Sequence, residues 1–328
     1  MNRRAFLSAT VAVLAAGLAG SSAIPGLAQT AAAWPDKPVK LILPYAPGGA
    51  TDLIGRPWAD KLTQDFKQQF IIENKGGASG MIGTEAAARS APDGYTFLLT
   101  PNAPITIVPS MRKTTYDPVK NFDAVGRVGD LVCGFVVHPS AGVKTMAELV
   151  AYAKKNPGKL AFGSAGLGTT THLRLEMLKF RAGIDILHVP YRGSADALND
   201  LLPGTVHMMN EINVLPHVKA GKLILLDING PTRHPEFPEV PTMTEAGYPD
   251  SDIPIWYSVW APAGTPKDIV EKFNAKIVEI AKSDEMKAKM AAISVVVPVQ
   301  TPAEMSTFRD TDTKVNAEVI KAANIKLE

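Results

Sequence analysis

Two stretches of this chain share a construction that can hold an anion. The first is Tyr45-Ala46-Pro47-Gly48-Gly49-Ala50-Thr51-Asp52, and the second is Gly163-Ser164-Ala165-Gly166-Leu167-Gly168-Thr169-Thr170. Each follows a short apolar run and precedes a helical pattern. Glycine lets the backbone approach a ligand closely, and unpaired N–H groups at a helix start favour negative charge. Either loop alone reads equally well as a tight turn; the matched pair points to two half-sites facing each other across a cleft. A third segment, Tyr191-Arg192-Gly193, also lies between a predicted strand and a predicted helix. There Tyr191 can flank a ligand. Arg192 can meet a carboxylate with its planar guanidinium, or be no more than a solvated surface charge. Glu211 and Asn213 follow another strand and can line the same sheet edge. Asp52 reads first as a helix cap and second as a ligand contact. Trp256, Tyr257 and Trp260 alternate along a strand and read as hinge packing ahead of ligand stacking.

Other chemistries are poorly served. Neither loop ends in the glycine-lysine-Ser/Thr of a P-loop. Gly166-Leu167-Gly168-Thr169-Thr170-Thr171 lacks the third glycine of the dinucleotide fingerprint, although Asp185, 17 residues past Gly168, is a loose match to the ribose acid. No G-x-S-x-G elbow is present. None of the six histidines sits in a compact zinc spacing, so neither a metal nor a cofactor is expected. His172 stands in the first turn of a predicted helix and reads as a structural hydrogen bonder. Cys133, the single cysteine, sits among apolar neighbours and reads as a small core residue rather than a catalytic thiol.

The elements that must position these loops alternate. Strands are expected at 39–45, 70–72 and 95–99, with helices at 51–66 and 82–89 between them. This β-α-β-α-β order begins a parallel sheet with helices on its faces. A proline-rich loop leads to an expected strand at 131–137. A second α/β series follows, with helices at 145–155, 171–181 and 194–202 and strands at 160–162, 184–189, 206–209 and 223–228. A breaker-rich stretch precedes a strand at 256–260, and helices at 267–282 and 302–324 close the chain. Two α/β lobes joined by two crossing strands is the coherent reading, with lobe one from residues 34–133 and 255–328 and lobe two from 134–254.

The chain has 328 residues, 46% hydrophobic and 20% charged, which excludes global disorder. Its first segment is read as an address. Arg3-Arg4 precedes the small apolar run 11–19, and Pro25, Gly26 and Ala28 supply the break and a small-residue exit, the order of a secretory signal. Cleavage after Ala28 is expected, with Ala31-Ala32-Ala33 as a second site, and the twin arginine leaves both export routes open. Without Arg3 and Arg4 the chain carries 32 basic and 32 acidic residues. That balance excludes a sequence-blind nucleic-acid binder. No later run approaches bilayer-spanning length, so stable membrane insertion is not expected.

In these blocks the sequence resembles the periplasmic solute-binding proteins of tripartite tricarboxylate transporters, the Bug or TctC family. The likeness starts at Trp34-Pro35-Asp36-Lys37-Pro38 and runs through Pro44 to Gly49 with Asp52 and Arg56, then Glu73-Asn74-Lys75-Gly76-Gly77-Ala78-Ser79-Gly80. It resumes at Pro92-Asp93-Gly94-Tyr95-Thr96, Ser164 to Thr169 with His172, and Val189-Pro190-Tyr191-Arg192-Gly193. It ends with Pro241-Thr242, Glu245-Ala246-Gly247-Tyr248 and Ala261-Pro262-Ala263-Gly264-Thr265-Pro266. The resemblance implies a two-lobed, Venus-flytrap periplasmic-binding-protein fold, type II-like, with no catalysis. It implies a small organic carboxylate held in the cleft by loop backbone groups and few charges, and a membrane permease as partner. On this chain that carries over to Tyr45, Ala46, Gly48 and Gly49, and to Ser164, Gly166, Gly168, Thr169, Thr170 and Tyr191. Arg192 stands where the family commonly has lysine, Met209-Asn210-Glu211 replaces a Phe-Asp-like segment, and Leu226-Asp227-Ile228-Asn229 replaces an Ala-Val-Thr ending. These departures bear on which acid is bound. An exported cofactor-dependent enzyme using His172 or His207, or a ligand sensor, remains the alternative.

Overall fold

The computed structural model describes residues 34–249 and 251–325. The expected leader and both cleavage sites lie outside the described residues.

The first half-sheet forms as the apolar pattern predicts. Strand β1 (Val39–Leu43) leads to helix α1 (Ala50–Phe66), β2 (Phe70–Asn74), α2 (Met81–Ala88) and β3 (Thr96–Pro101). A short helix α3 (Val108–Met111) and the long strand β4 (Phe122–Leu131) follow. Strands β1, β2 and β3 pair in parallel. The remaining partners do not. Returning strand β10 (Trp256–Pro262) runs antiparallel to both β3 and β4, and β11 (Val295–Val296) runs antiparallel to β4. The sheet is therefore mixed, with six strands in the order β11-β4-β10-β3-β1-β2. Helices α8 (Lys267–Lys282), α9 (Asp284–Ala291) and α10 (Pro302–Ala322) complete this lobe. Its core gathers Trp34, Trp58, Phe97 and Phe273, all nearly inaccessible to water.

The second sheet uses β5 (Val136–Val137), β6 (Ala161–Ser164), β7 (Leu187–Pro190), β8 (Met208–Met209) and β9 (Ile224–Leu225), in the order β7-β6-β8-β5-β9. Helices α4 (Met146–Lys155), α5 (Thr170–Ala182), α6 (Ser194–Leu201) and α7 (Leu215–Lys219) connect them. The apolar cluster around Phe135, Phe162, Leu175 and Leu178 fills this lobe.

The expected strand 131–137 is corrected. β4 ends at Leu131, residues 132–135 cross between the sheets, and β5 is a separate two-residue strand. Cys133 lies in the crossing, in an isolated bridge to Asn229, and is buried as expected. β4 escaped the sequence pattern because Gly126, Arg127, Gly129 and Asp130 break its alternation. Packing demands its glycines: a Cβ on Gly129 would stand 2.6 Å from Val295 Cγ1. The expected strand 223–228 shortens to β9, because Asp227 turns its carboxylate onto the Phe135 N–H, at 2.8 Å, instead of extending the ladder.

Both crossings are pinned by one buried side chain. Arg174 on α5 donates from Nε to the Ile253 carbonyl at 2.7 Å and from Nη1 to Asn210 Oδ1 at 2.6 Å and Cys133 Sγ at 3.4 Å. The crossings also touch each other, the Leu131 N–H donating to the Ile255 carbonyl at 2.9 Å.

Candidate functional site

Helix α1 starts at Ala50 with Gly49 as its cap residue, so the expectation that Asp52 caps it is corrected. Asp52 instead lies inside the first turn and ties down the loop before it. Its carboxylate accepts from the Gly48 N–H (3.0 Å), from Arg56 Nε and Nη2 (2.7 and 3.0 Å) and from Asn74 Nδ2 (3.2 Å). Asn74 Nδ2 also donates to the Tyr45 carbonyl at 3.1 Å, holding the far side of the same loop. Burial works to raise the Asp52 pKa, but the bonds from Arg56, Gly48 and Asn74 outweigh it and hold the group below its ordinary value. Asp52 and Gly48 do not line the cavity described below.

The second loop is held from within. Ser164 Oγ accepts from the Gly166 N–H at 3.1 Å and pairs with His188 Nε2 at 2.6 Å. Thr169 is the N-cap of α5, its hydroxyl accepting from the His172 N–H and donating to the Gly166 carbonyl at 2.7 Å. His172 Nδ1 accepts from the Gly168 N–H at 3.1 Å, which leaves the imidazole proton on Nε2. The His172 ring stacks on His188 with centroids 4.1 Å apart. Burial, and for His172 the neighbouring His188, pushes these imidazoles down to about 3 and about 4, so both are neutral near pH 7. The N–H groups of Gly166 and Gly168 are thus spent inside the loop.

The two loops meet across a narrow cavity. Lobe one lines it with Tyr45, Ala46, Gly49, Ala50 and Thr51, and lobe two with Thr169, Thr170, Thr171, Ser194 and Glu211. Ala165, Pro101, Ala103, Ile255 and Tyr257 complete the wall. About 400 Å³ lies between the lining atoms, but only about 20 Å³ of it is wide enough for water, roughly room for one molecule. Bonds between the lobes close it. Ser79 Oγ donates to the Leu167 carbonyl at 2.5 Å, Thr170 Oγ1 to Asn102 Oδ1 at 2.7 Å, and the Ala50 N–H to Ser194 Oγ at 3.1 Å.

Three helices, α1, α5 and α6, begin at this cavity. Of their first N–H groups, that of Ala50 donates to Ser194 Oγ, that of Asp52 to the Gly49 carbonyl and that of His172 to Thr169 Oγ1, and the helix dipoles place partial positive charge there. No lysine, arginine or histidine lines the space. The arrangement can neutralise an anion with backbone groups alone. Its one carboxylate is Glu211, which burial pushes up to about 7. Burial likewise keeps the phenols of Tyr45 and Tyr257 protonated.

Of the residues expected from the sequence, Tyr45, Ala46, Gly49, Thr169 and Thr170 come together at the cavity. Gly48, Asp52, Ser164, Gly166 and Gly168 stand behind it as loop architecture. Tyr191 turns its hydroxyl to Asp200 Oδ2 at 2.6 Å, locking the end of β7 to α6. Arg192 is exposed and lines no part of the cavity. Glu211 does line it, and Tyr257 faces it while Trp256 and Trp260 join a separate core cluster. Ser194 and Thr51 were missed. The signal for Ser194 was a glycine-serine pair opening α6, the same helix-start chemistry that marked the other two loops.

Comparison with known proteins agrees with this geometry. Residues 54–325 match the family described as the tripartite tricarboxylate transporter family receptor. Protein BugT of Bordetella pertussis is 35% identical over 299 residues, covering 90% of this chain and 92% of BugT. A solved R. palustris protein with adipate is 32% identical with a TM-score of 0.87, covering 89% of this chain and 99% of that one. MatC from Rhodopseudomonas palustris with bound malate is 26% identical with a TM-score of 0.83, covering 88% and 100%. With the match running from residue 54 to residue 325 over a two-lobed α/β fold closed on one cleft, this chain belongs to the tripartite tricarboxylate transporter receptor family.

Proposed function

We propose that the protein is an exported receptor that captures a small organic carboxylate between its lobes and delivers it to a membrane permease of the tripartite tricarboxylate type. The observation that carries this reading is the convergence of three helix N-termini, from both lobes, on one cleft lined by no cationic side chain. Lobe one comprises residues 34–133 and 255–328, lobe two 134–254, and residues 1–28, or 1–33 with the second cleavage site, are the removed leader. The neighbours solved with adipate and malate support a carboxylate. A binding role in place of a catalytic one is supported by His172, whose Nδ1 is occupied by the Gly168 N–H and which stays out of the cavity. Thermal unfolding of the leaderless chain against a panel of acids and neutral controls tests the proposal. Ligand at 100 times its Kd stabilises the fold by about 2.7 kcal/mol, a clear shift. A response confined to carboxylates is the expected result; equal response to neutral analogues would refute it.

A further inference from the structure

The cavity holds a group that a plain carboxylate ligand does not explain. Glu211 is 6% exposed and lines the cleft, and its Oε2 is buried without a hydrogen-bond partner. An unpartnered carboxylate oxygen away from water is costly unless a donor meets it. No lysine, arginine or histidine among the lining residues does so. The charge that partly balances it is Arg174, which spends Nε and Nη1 on Ile253, Asn210 and Cys133 and whose Nη2 is buried with no hydrogen bond to Glu211. The cavity therefore offers two complementary features: helix starts that favour an anion, and a buried carboxylate that favours a cationic donor.

We infer that the ligand is an amine-bearing carboxylic acid whose carboxylate meets the helix N-termini and whose ammonium group meets Glu211. The inference rests on the carboxylate-receptor reading and narrows it. A second free carboxylate brought against Glu211 places like charges together in a site nearly closed to water, and the protein must first take up a proton to accept it. An ammonium instead supplies the missing donor and cancels the charge. Four other titratable groups face Glu211: Tyr45 from the first loop, Tyr257 on β10, Cys133 in the crossing and Arg174 on α5. The phenols and the thiol are held neutral by burial, so among these five groups Glu211 is the one that changes charge between pH 6 and 8.

Calorimetric titration of the leaderless chain with two matched pairs, 6-aminohexanoate against adipate and aspartate against malate, tests this. The amine member of at least one pair is expected to bind at least about tenfold more tightly than its partner, with affinity rising from pH 6 to 8 as Glu211 ionises. The near-isosteric Glu211→Gln is expected to lose about tenfold or more for that amine, to lose the pH dependence, and to keep an unfolding midpoint no lower than the parent's. Tighter binding of adipate and malate than of either amine, unaltered by Glu211→Gln, would overturn the inference and leave the carboxylate reading standing. Absence of binding by all four acids would overturn both.

Discussion

Single side chains here mostly serve the loops, and their chemistry predicts measurable consequences. Asp52 organises the first loop through four bonds, so Asp52→Ala leaves the Gly48 N–H without its partner and Asn74 with only the Tyr45 carbonyl. Its side chain is 7% exposed, although Arg56 is 55% exposed, so most of the effect comes from the loop bonds and little from the ion pair. A loss of about 2 kcal/mol in denaturant unfolding at pH 7 is expected. The native pKa is depressed, so this contribution is present above the unfolded value near 4 and fades as pH falls through the native one; an equal loss at pH 2 and pH 7 would contradict the role. His172 works with the opposite charge type. Its native pKa of about 3 lies below the ordinary imidazole value of 6.5, so the unfolded chain binds a proton that the native one refuses. Native stability therefore falls as pH drops below 6.5, by about 2 kcal/mol at pH 5 for one such group. The stability gap between wild type and His172→Asn should accordingly narrow from pH 7 to pH 5. A gap constant with pH would show that the imidazole is not buried neutral.

Loops and crossings set what the cleft can do. Gly166 has φ +133° and faces Ser79, where a Cβ would stand 2.9 Å from Ser79 Oγ. Gly166→Val combined with Thr169→Ala therefore removes the cap of α5 and obstructs lobe closure, and severe loss of ligand affinity with a folded chain by circular dichroism is expected. Ser79→Ala is the milder probe. It removes the hydrogen bond to Leu167, present only when the lobes meet, and should weaken binding about fivefold while leaving unfolding of the ligand-free protein unchanged. Unaltered affinity would mean that this contact does not report closure. In the crossing, a Cβ on Gly134 would lie 1.6 Å from the Asp227 carbonyl oxygen, so Gly134→Ala should destabilise by about 3 kcal/mol. The same elements show how far the sequence could be read. Helix α8 was placed to the residue and the two glycine loops fell at strand-to-helix turns, because periodicity and breakers are local signals. Strand β4 and the antiparallel half of its sheet were hidden, because glycines chosen for contact with distant side chains erase the alternation. At the site, the loops that line the cleft were legible, but which of their residues face inward was not. The N–H groups of Gly166 and Gly168 are consumed by Ser164 and His172, a pairing that only the folded loop reveals.

At the scale of the whole molecule, two lobes share one small cleft and close on it through a few hydrogen bonds. With about 20 Å³ wide enough for water, the proposed organic acid would have to enter with the lobes apart. On the proposed reading the acid touches both lobes, and the closure it gains equals its differential affinity for the closed state. The balanced charge of the chain without Arg3 and Arg4 removes long-range attraction for acids, so the proposal draws its affinity from the helix starts at the cleft. The most direct test of that claim is equilibrium titration of the leaderless protein with aspartate, malate, adipate and 6-aminohexanoate, each beside its methyl ester. At least one acid should bind, and esterification of its carboxylate, which removes the charge and leaves the carbon skeleton, should weaken it by about 100-fold or more. An ester that binds as tightly as its acid would contradict anion recognition by the helix N-termini.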